Sequence, residues 1–353
     1  MSDKIQAVVI GATGYVGGEL LRLISMHPDL QLAAAISESR AGDRIAACFP
    51  HLSAVCGEMT FVSHTEWLAA IAPGSRLAMF SAAPHGASAG AIKVALEAAE
   101  KAGMDVHVVD SSADFRFSNL RDFESIYGIE HGAPELMARF QCGVPEHVSA
   151  INTPHIAHPG CFATAILLAS VPLLGSATTD GDLFVTGITG STGSGKRPQP
   201  GTHHPERHSN LYAYKPLTHR HTAEIVRLAK TASGKEARIN FVPHSGPYAR
   251  GIYVSVQAKL NREISQAELQ QFFLDAYADA PFVEIVSEMP KLKDVVASNY
   301  CHIGIATSGD TVVVTSAIDN LVKGAAGGAM QWMNRLWDLP ETTGLGAPAP
   351  AWT

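Results

Sequence analysis

The sequence is short of charge and of cysteine, and it has no long apolar run. Charged residues fill 17% of 353 positions, below the roughly 25% usual for soluble chains, while hydrophobic residues reach 46%. A disordered chain is excluded, because disorder goes with few apolar residues and high net charge. So much apolar surface also implies burial in an oligomer. Acids outnumber bases by 33 to 26, giving a formal charge of −7, and no run of Lys or Arg interrupts that balance. Nucleic acid and anionic membrane surfaces, which reward concentrated positive charge, are therefore not expected as partners.

No stretch reaches the ~18 uninterrupted apolar residues of a membrane span. The opening MSDKIQAVVIGATGYVGG turns apolar at once and then breaks on glycine, unlike a secretory leader. The five cysteines (Cys48, Cys56, Cys142, Cys161, Cys301) are odd in number, widely spread and free of any CxxC pair. A disulfide framework is not expected, and a reducing cytoplasm is.

What is present reads as two domains, on length alone. Ile5–Ile10 is a β-branched strand, and Tyr15–Met26 carries Val16, Leu20, Leu23 and Ile24 at helical spacing until His27-Pro28. Leu30–Ile36, Leu77–Ala83 and Val106–Val109 are further strands, with an Ala-rich helix over 87–102. Alternation of this kind predicts βαβ units on a parallel sheet. Beyond about residue 160 the pattern changes to longer strands, 183–189 and 251–260, among Gly-, Pro- and His-rich loops. That is an α+β arrangement on an antiparallel or mixed sheet. Asn320–Trp337 reads as a small-residue helix, and Pro340–Thr353 as a loose end.

Between the first strand and its helix lies Gly11-Ala12-Thr13-Gly14-Tyr15-Val16-Gly17. Glycines there allow a tight turn, close approach of backbone to a pyrophosphate and helix–strand packing. The spacing is GxxGxxG, a departure from GxGxxG, but its placement predicts a Rossmann-type dinucleotide site. At the end of the second strand an acid selects a ribose hydroxyl and an arginine a 2′-phosphate. Here Ser37, Ser39 and Arg40 favour the phosphate, so the expected cofactor is NADP, with Glu38 opposing unless directed away.

His158-Pro159-Gly160-Cys161 precedes a helix-forming run, placing Cys161 at a helix N-terminus. The dipole and open amides there favour a thiolate and support a developing oxyanion. Farther on, Thr218-His219-Arg220-His221-Thr222-Ala223-Glu224 holds an imidazole that Glu224 could orient. Two other patterns mislead. Gly190–Lys196 satisfies GxxxxGK, but Arg197 stands where a magnesium-binding hydroxyl belongs, and Pro198, Pro200 and Pro205 oppose a following helix. The loop, with Ser191, Lys196 and Arg197, instead suits a smaller phosphate group. His203, His204, His208, His219 and His221 lack a partner acid or thiol at metal spacing, so no metal site is expected.

GATGYVGGELLRL, SSADFR, HPGCFATA, GSTGSGKRP, HRHTAEI, PHSGPYARGI and DNLVKGAAGGAMQWMN occur in that order over most of the chain. This set resembles the N-acetyl-γ-glutamyl-phosphate reductases of arginine biosynthesis, relatives of aspartate-semialdehyde dehydrogenase. The resemblance implies NADPH-dependent reduction of a small-molecule acyl phosphate to an aldehyde through a cysteine thioester. It implies a dinucleotide-binding domain of residues 1–160 and 317–353, the last helix returning to it. Residues 161–316 would form the substrate and oligomerisation domain of a homodimer or homotetramer. Cys161 matches the nucleophile and His219 an acid/base with its pKa near working pH, with Glu224 orienting it. Asn320 falls near the nicotinamide, and Ser81, Pro84 and His85 in a segment flanking the cofactor. Arg116, His221, His244 and Arg250 fall in motifs lining the substrate. Departures at His158, Phe162 and Ala223, and in the GSTGSGKRP loop, leave the acyl group open between N-acetyl and a branch with N-succinyl. Two rivals are an aspartate-semialdehyde dehydrogenase and a non-catalytic NADPH-binding sensor, which would need no reactive thiol.

Overall fold

The computed structural model describes residues 4–351. In chain order its first elements are β1 (Ile5–Ile10), α1 (Tyr15–Met26), β2 (Leu30–Ile36), β3 (Arg76–Ser81), α2 (Ser88–Lys101), β4 (Asp105–Asp110), α3 (Leu120–Tyr127), β5 (Phe140–Cys142) and β6 (His155–Ala157). Next come α4 (Cys161–Gly175), β7 (Asp182–Thr189), α5 (His204–Arg207), β8 (Tyr212–Ala213), α6 (His221–Ser233), β9 (Arg238–Ser245) and β10 (Ile252–Lys259). The last are α7 (Gln266–Ala276), β11 (Val283–Ile285), β12 (Cys301–Ser308), β13 (Thr311–Ile318) and α8 (Gly327–Leu336), with short helical turns in several connections.

The first compact unit comprises residues up to Gly143, Ala150–His158 and Ala325–Gly346. Its six strands are all parallel, in the order β2-β1-β3-β4-β6-β5. The chain leaves β1 toward β2 on one side and returns as β3 on the other, so the loops after β1 and β3 diverge at a topological switch point. On α2, Ile92, Ala95, Leu96 and Ala99 are buried in the same core as Val8, Met79 and Val108. The 3.6-residue period of that helix fixes this face.

The second unit takes Val144–Ser149, Pro159–Gly324 and the chain from Ala347. Its sheet runs β11-β12-β13-β10-β7-β9-β8; β11–β12 and β7–β9 are parallel and the other pairs antiparallel. Residue 317, the expected point of return to the first domain, is still within β13, and the return comes at Ala325. Helix α4 is apolar all round, with residues 162–174 buried, as a helix enclosed on every side must be. Pro172 within it has no N–H to give, which would strand the Leu168 carbonyl. The Tyr277 hydroxyl donates to that carbonyl at 2.7 Å. With its proton so used, the phenol oxygen accepts from His147 Nε2 at 2.9 Å. Burial agrees, lowering the pKa of His147 to about 4.

The expected helix over 320–337 begins instead as a π-turn, Val322–Ala326, before α8. The start of the tail after it, as far as Leu345, is not loose. Asn334 Nδ2 donates to the carbonyls of Glu341 and Thr343, its Oδ1 meets His27 Nε2, and Leu345 is buried. Trp352 and Thr353, the end of that expected tail, lie outside the described residues.

Candidate active site

Cys161 is the first residue of α4, half-buried, and Gly160 is its N-cap with no side-chain cap. The first-turn amides of that helix have no partner within it. The carboxylate of Glu224, fully buried on α6, accepts the Gly160 N–H at 2.7 Å. Gly324, in the π-turn, packs on Cys161. A Cβ added there would lie 2.8 Å from Cys161 Cβ, so only glycine lets the turn come this close. None of the five cysteines is in a disulfide.

His219 precedes α6 and is buried. Its ring lies 5.9 Å from Phe162, the neighbour of Cys161, 5.5 Å from Phe241, 5.7 Å from Tyr214 and 4.7 Å from His221. Its Nδ1 accepts the His221 N–H at 3.3 Å, which leaves the proton of the neutral ring on Nε2. Burial, then the charges of Arg220 and Lys215, push its pKa down to about 4. The expectation of a pKa near working pH is corrected: burial in this cage keeps the imidazole neutral at pH 7, with its proton on Nε2. Burial and then the neighbouring Cys161 raise the Tyr214 phenol.

Of the expected substrate residues, Arg250 is already engaged. Its Nε and Nη2 donate to the two Asp319 oxygens at 3.0 and 3.1 Å. Asp319, fully buried, also accepts the Ala297, Leu321 and Val322 amides. Arg116, in the first unit, donates through Nε and Nη2 to the carbonyls of His158 and Ser111, each at 3.0 Å. Asn320 accepts from the Gly251 N–H and donates to Thr192 Oγ1, which ties two loops of the second unit together. The loop expected to cradle phosphate spends its amides otherwise: Gly190, Ser191 and Thr192 donate to the carbonyls of Gly251, Tyr248 and Ala249. Lys196 and Arg197 are exposed beyond it, His221 is buried, and His244 sits on β9 beside Ala213 of β8. Among the described residues no group of His, Cys, Asp or Glu is placed to hold a metal, and no helix is long and apolar enough to cross a membrane.

In the first unit, Gly11 has φ +72°, and a Cβ on it would strike the Ala83 backbone at 2.7 Å. A Cβ on Gly17 would strike Ala12 O at 2.5 Å. Packing demands both glycines. It does not demand Gly14, whose φ is −76° and whose added Cβ would meet nothing nearer than Gly11 O at 3.9 Å. The space it leaves lies before the uncapped N-terminus of α1 at Tyr15 and Val16, which fits a pyrophosphate. At the end of β2, Ser37 is buried, its hydroxyl is 3.4 Å from that of Ser39, and exposed Arg40 pairs only at the surface with Asp43. Glu38 turns away from them and accepts the His64 N–H. After β3, Ser81 bonds Ser88, which donates to Asp110, and His85 Nδ1 accepts the Ala113 N–H. Pro84 starts the turn into α2, its carbonyl accepting the Ala87 and Ser88 amides.

A family model described as the semialdehyde dehydrogenase NAD-binding domain matches residues 6–158, and one for the dimerisation domain of the same proteins matches 161–320. N-acetyl-γ-glutamyl-phosphate reductase of Methanosarcina mazei is 38% identical over 99% of this chain and 100% of its own length. The chain belongs to the N-acetyl-γ-glutamyl-phosphate reductase family. Reductases of the same name from Pelotomaculum thermopropionicum and Moorella thermoacetica are each 37% identical over 98% of the chain, covering 98% and 99% of their own lengths. As a member of this reductase family it is an oxidoreductase of the semialdehyde dehydrogenase type. The fold is shared with aspartate semialdehyde dehydrogenase II of Vibrio cholerae, at a TM-score of 0.68 and 17% identity over 96% of this chain and 99% of that one. An aspartate semialdehyde dehydrogenase from Candida albicans, solved with NADP, gives 0.64 at 16% identity, covering 95% and 98%. In this reductase, sequence reasoning passed over Gly324, Asp319 and Arg207. Gly324 was legible as one glycine among the small residues of KGAAGG, but its neighbour was not.

Proposed function

We propose that the protein reduces an N-acyl-γ-glutamyl phosphate to the corresponding semialdehyde, with NADPH, through a thioester on Cys161. The observation that carries this is Cys161 at the uncapped N-terminus of α4, whose next residue, Phe162, packs on a caged, neutral His219. The Cys161 thiolate attacks the acyl carbon, the bond from that carbon to the phosphate oxygen breaks, and inorganic phosphate leaves. Bound NADPH supplies a hydride to the acyl carbon. The first-turn amides of α4 and the His219 Nε2–H donate to the oxygen on which negative charge develops. Expulsion of the sulfur then frees the aldehyde and restores the thiolate. Glu224 acts as a positioning residue, holding Gly160 so that Cys161 keeps its place.

Tyr15, Val16 and the space at Gly14 would hold the pyrophosphate, and Ser37, Ser39 and Arg40 the 2′-phosphate, which favours NADP over NAD. The engagement of Glu38 with His64 supports the same choice. The names of the relatives support a place in amino-acid biosynthesis, which the family resemblance makes that of arginine, and the dimerisation-domain match supports a homodimer or homotetramer. Thiols outside disulfides suit a reducing cytoplasm.

The test is the reverse reaction: protein, NADP and inorganic phosphate with N-acetyl-glutamate semialdehyde, then with its N-succinyl analogue. Phosphate-dependent NADPH formation is expected, the faster aldehyde identifying the acyl group. Cys161→Ser should lose almost all turnover while still binding NADPH. Near-normal turnover by that variant would overturn the thioester.

A further inference from the structure

Three arginines of this chain are buried or half-buried, and the same edge of the guanidinium, Nε with Nη2, tells them apart. In Arg250 that edge is closed on the two oxygens of Asp319. In Arg116 it is closed on the carbonyls of His158 and Ser111. In Arg207, at the end of α5, only 8% of the residue is exposed, and neither Nε nor Nη2 has a partner among the described residues. Among the described residues its hydrogen bond runs from Nη1 to the Asn210 carbonyl at 3.3 Å. Arg207 is therefore a buried cation with two parallel donors unused.

Burying a charge without a partner is costly, so chains seldom keep one unless a partner arrives. Two parallel N–H groups match the two oxygens of a carboxylate or a phosphate. Arg250 with Asp319 shows this pairing made inside the same unit. Surroundings point the same way. Between 196 and 220 the chain has five Lys and Arg against a single acid, Glu206, although the whole sequence is negative. The guanidinium also lies within electrostatic reach of Tyr248, whose phenol burial pushes up to about 12 against the pull of Arg207. Tyr248 belongs to the strap of backbone that accepts the Ser191 amide and leads to Arg250.

We propose that the unpaired edge of Arg207 is an oxyanion site that receives two oxygens of the substrate, from its free carboxylate or from its phosphate. The identity of the ligand rests on the acyl-phosphate reading above; the existence of the site does not. The role is one of binding and orientation, since remote contacts that fix a substrate determine how well it reaches the nucleophile.

Calorimetric titration of the full-length protein with inorganic phosphate and, separately, with N-acetyl-L-glutamate tests this without turnover. Arg207→Met should weaken one of the two by roughly 10- to 100-fold and leave the other and NADPH binding unchanged. Loss of phosphate binding assigns the phosphate; loss of N-acetyl-L-glutamate binding assigns the carboxylate. Arg207→Lys, which keeps the charge but not the paired donors, should fall in between, and it decides alone if the methionine variant does not fold. In the reverse reaction the matching KM should rise with kcat nearly kept. Equal binding of both probes by wild type and variants, or binding of neither by wild type, overturns the site. Because binding is read directly, a missing reverse reaction would sink the catalytic reading and leave this result standing.

Discussion

The Glu224 carboxylate accepts the Gly160 N–H at 2.7 Å across 64 positions of sequence, and so fixes the residue immediately before Cys161. Glu224→Ala leaves a buried N–H without that acceptor, a loss of about 1–3 kcal/mol. It should lower the urea midpoint and slow alkylation of Cys161 by iodoacetamide. Glu224→Gln keeps an oxygen at the same place and should recover most of both. An alanine variant that alkylates at the wild-type rate would show that the contact does not position the thiol.

Gly324 against Cys161 gives a second expectation. In Gly324→Ala the new methyl would meet Cys161 Cβ at 2.8 Å, and backbone must move to relieve it. Overpacking of this kind costs about 1–3 kcal/mol, and displacing a reacting group by an ångström can cost on the order of 100-fold in rate. Turnover should therefore fall far more than cofactor binding does. Wild-type kcat in this variant would remove Gly324 from the account.

On the proposed reading, Arg40 carries the preference for NADPH. Removing one charge-assisted contact to a phosphate costs about 1.5–3 kcal/mol. Arg40→Ala should raise the KM for NADPH by roughly 10- to 100-fold and leave the KM for NADH almost unchanged. Equal rises for both cofactors would mean that Arg40 does not read the 2′-phosphate.

Acid sensitivity follows from buried histidines. Burial holds His155 near a pKa of about 3, and His147 and His219 near about 4, against an ordinary value of 6.5. Below pH 6.5 the unfolded chain binds protons that the folded chain refuses, so stability is full above that pH and falls as pH drops toward 4. Asp110, raised to about 6 by burial, acts in the opposite sense: its contribution is present below pH 3.8 and is lost as pH rises through 6. Three histidines outweigh one aspartate, and the protein should weaken on acidification. His155 Nδ1 accepts the Val108 N–H, a bond that His155→Asn can keep without titrating. That variant should flatten the stability-against-pH slope between pH 6 and 4.5 by about 1.4 kcal/mol per unit. An unchanged slope, from urea unfolding at a series of pH values, would exclude His155 as a contributor.

Where each structural fact arises explains what could be read early. The GxxGxxG turn, the parallel strands around it and the start of α4 at Cys161 depend on residues adjacent in sequence. Backbone geometry, hydrophobic period and proline act over that range, so the sequence by itself determined them. The mixed second sheet was legible only in outline, because its order joins strands as distant as β7 and β10. Charge state and occupancy were decided by the tertiary structure. His219 is neutral because Phe162, Phe241 and Tyr214 close over it, and Glu224 faces Gly160 because α6 packs on α4. Arg250 and Arg207 look alike in sequence. One closes on Asp319 and the other stays open, because desolvation and hydrogen bonding depend on neighbours that only folding brings together.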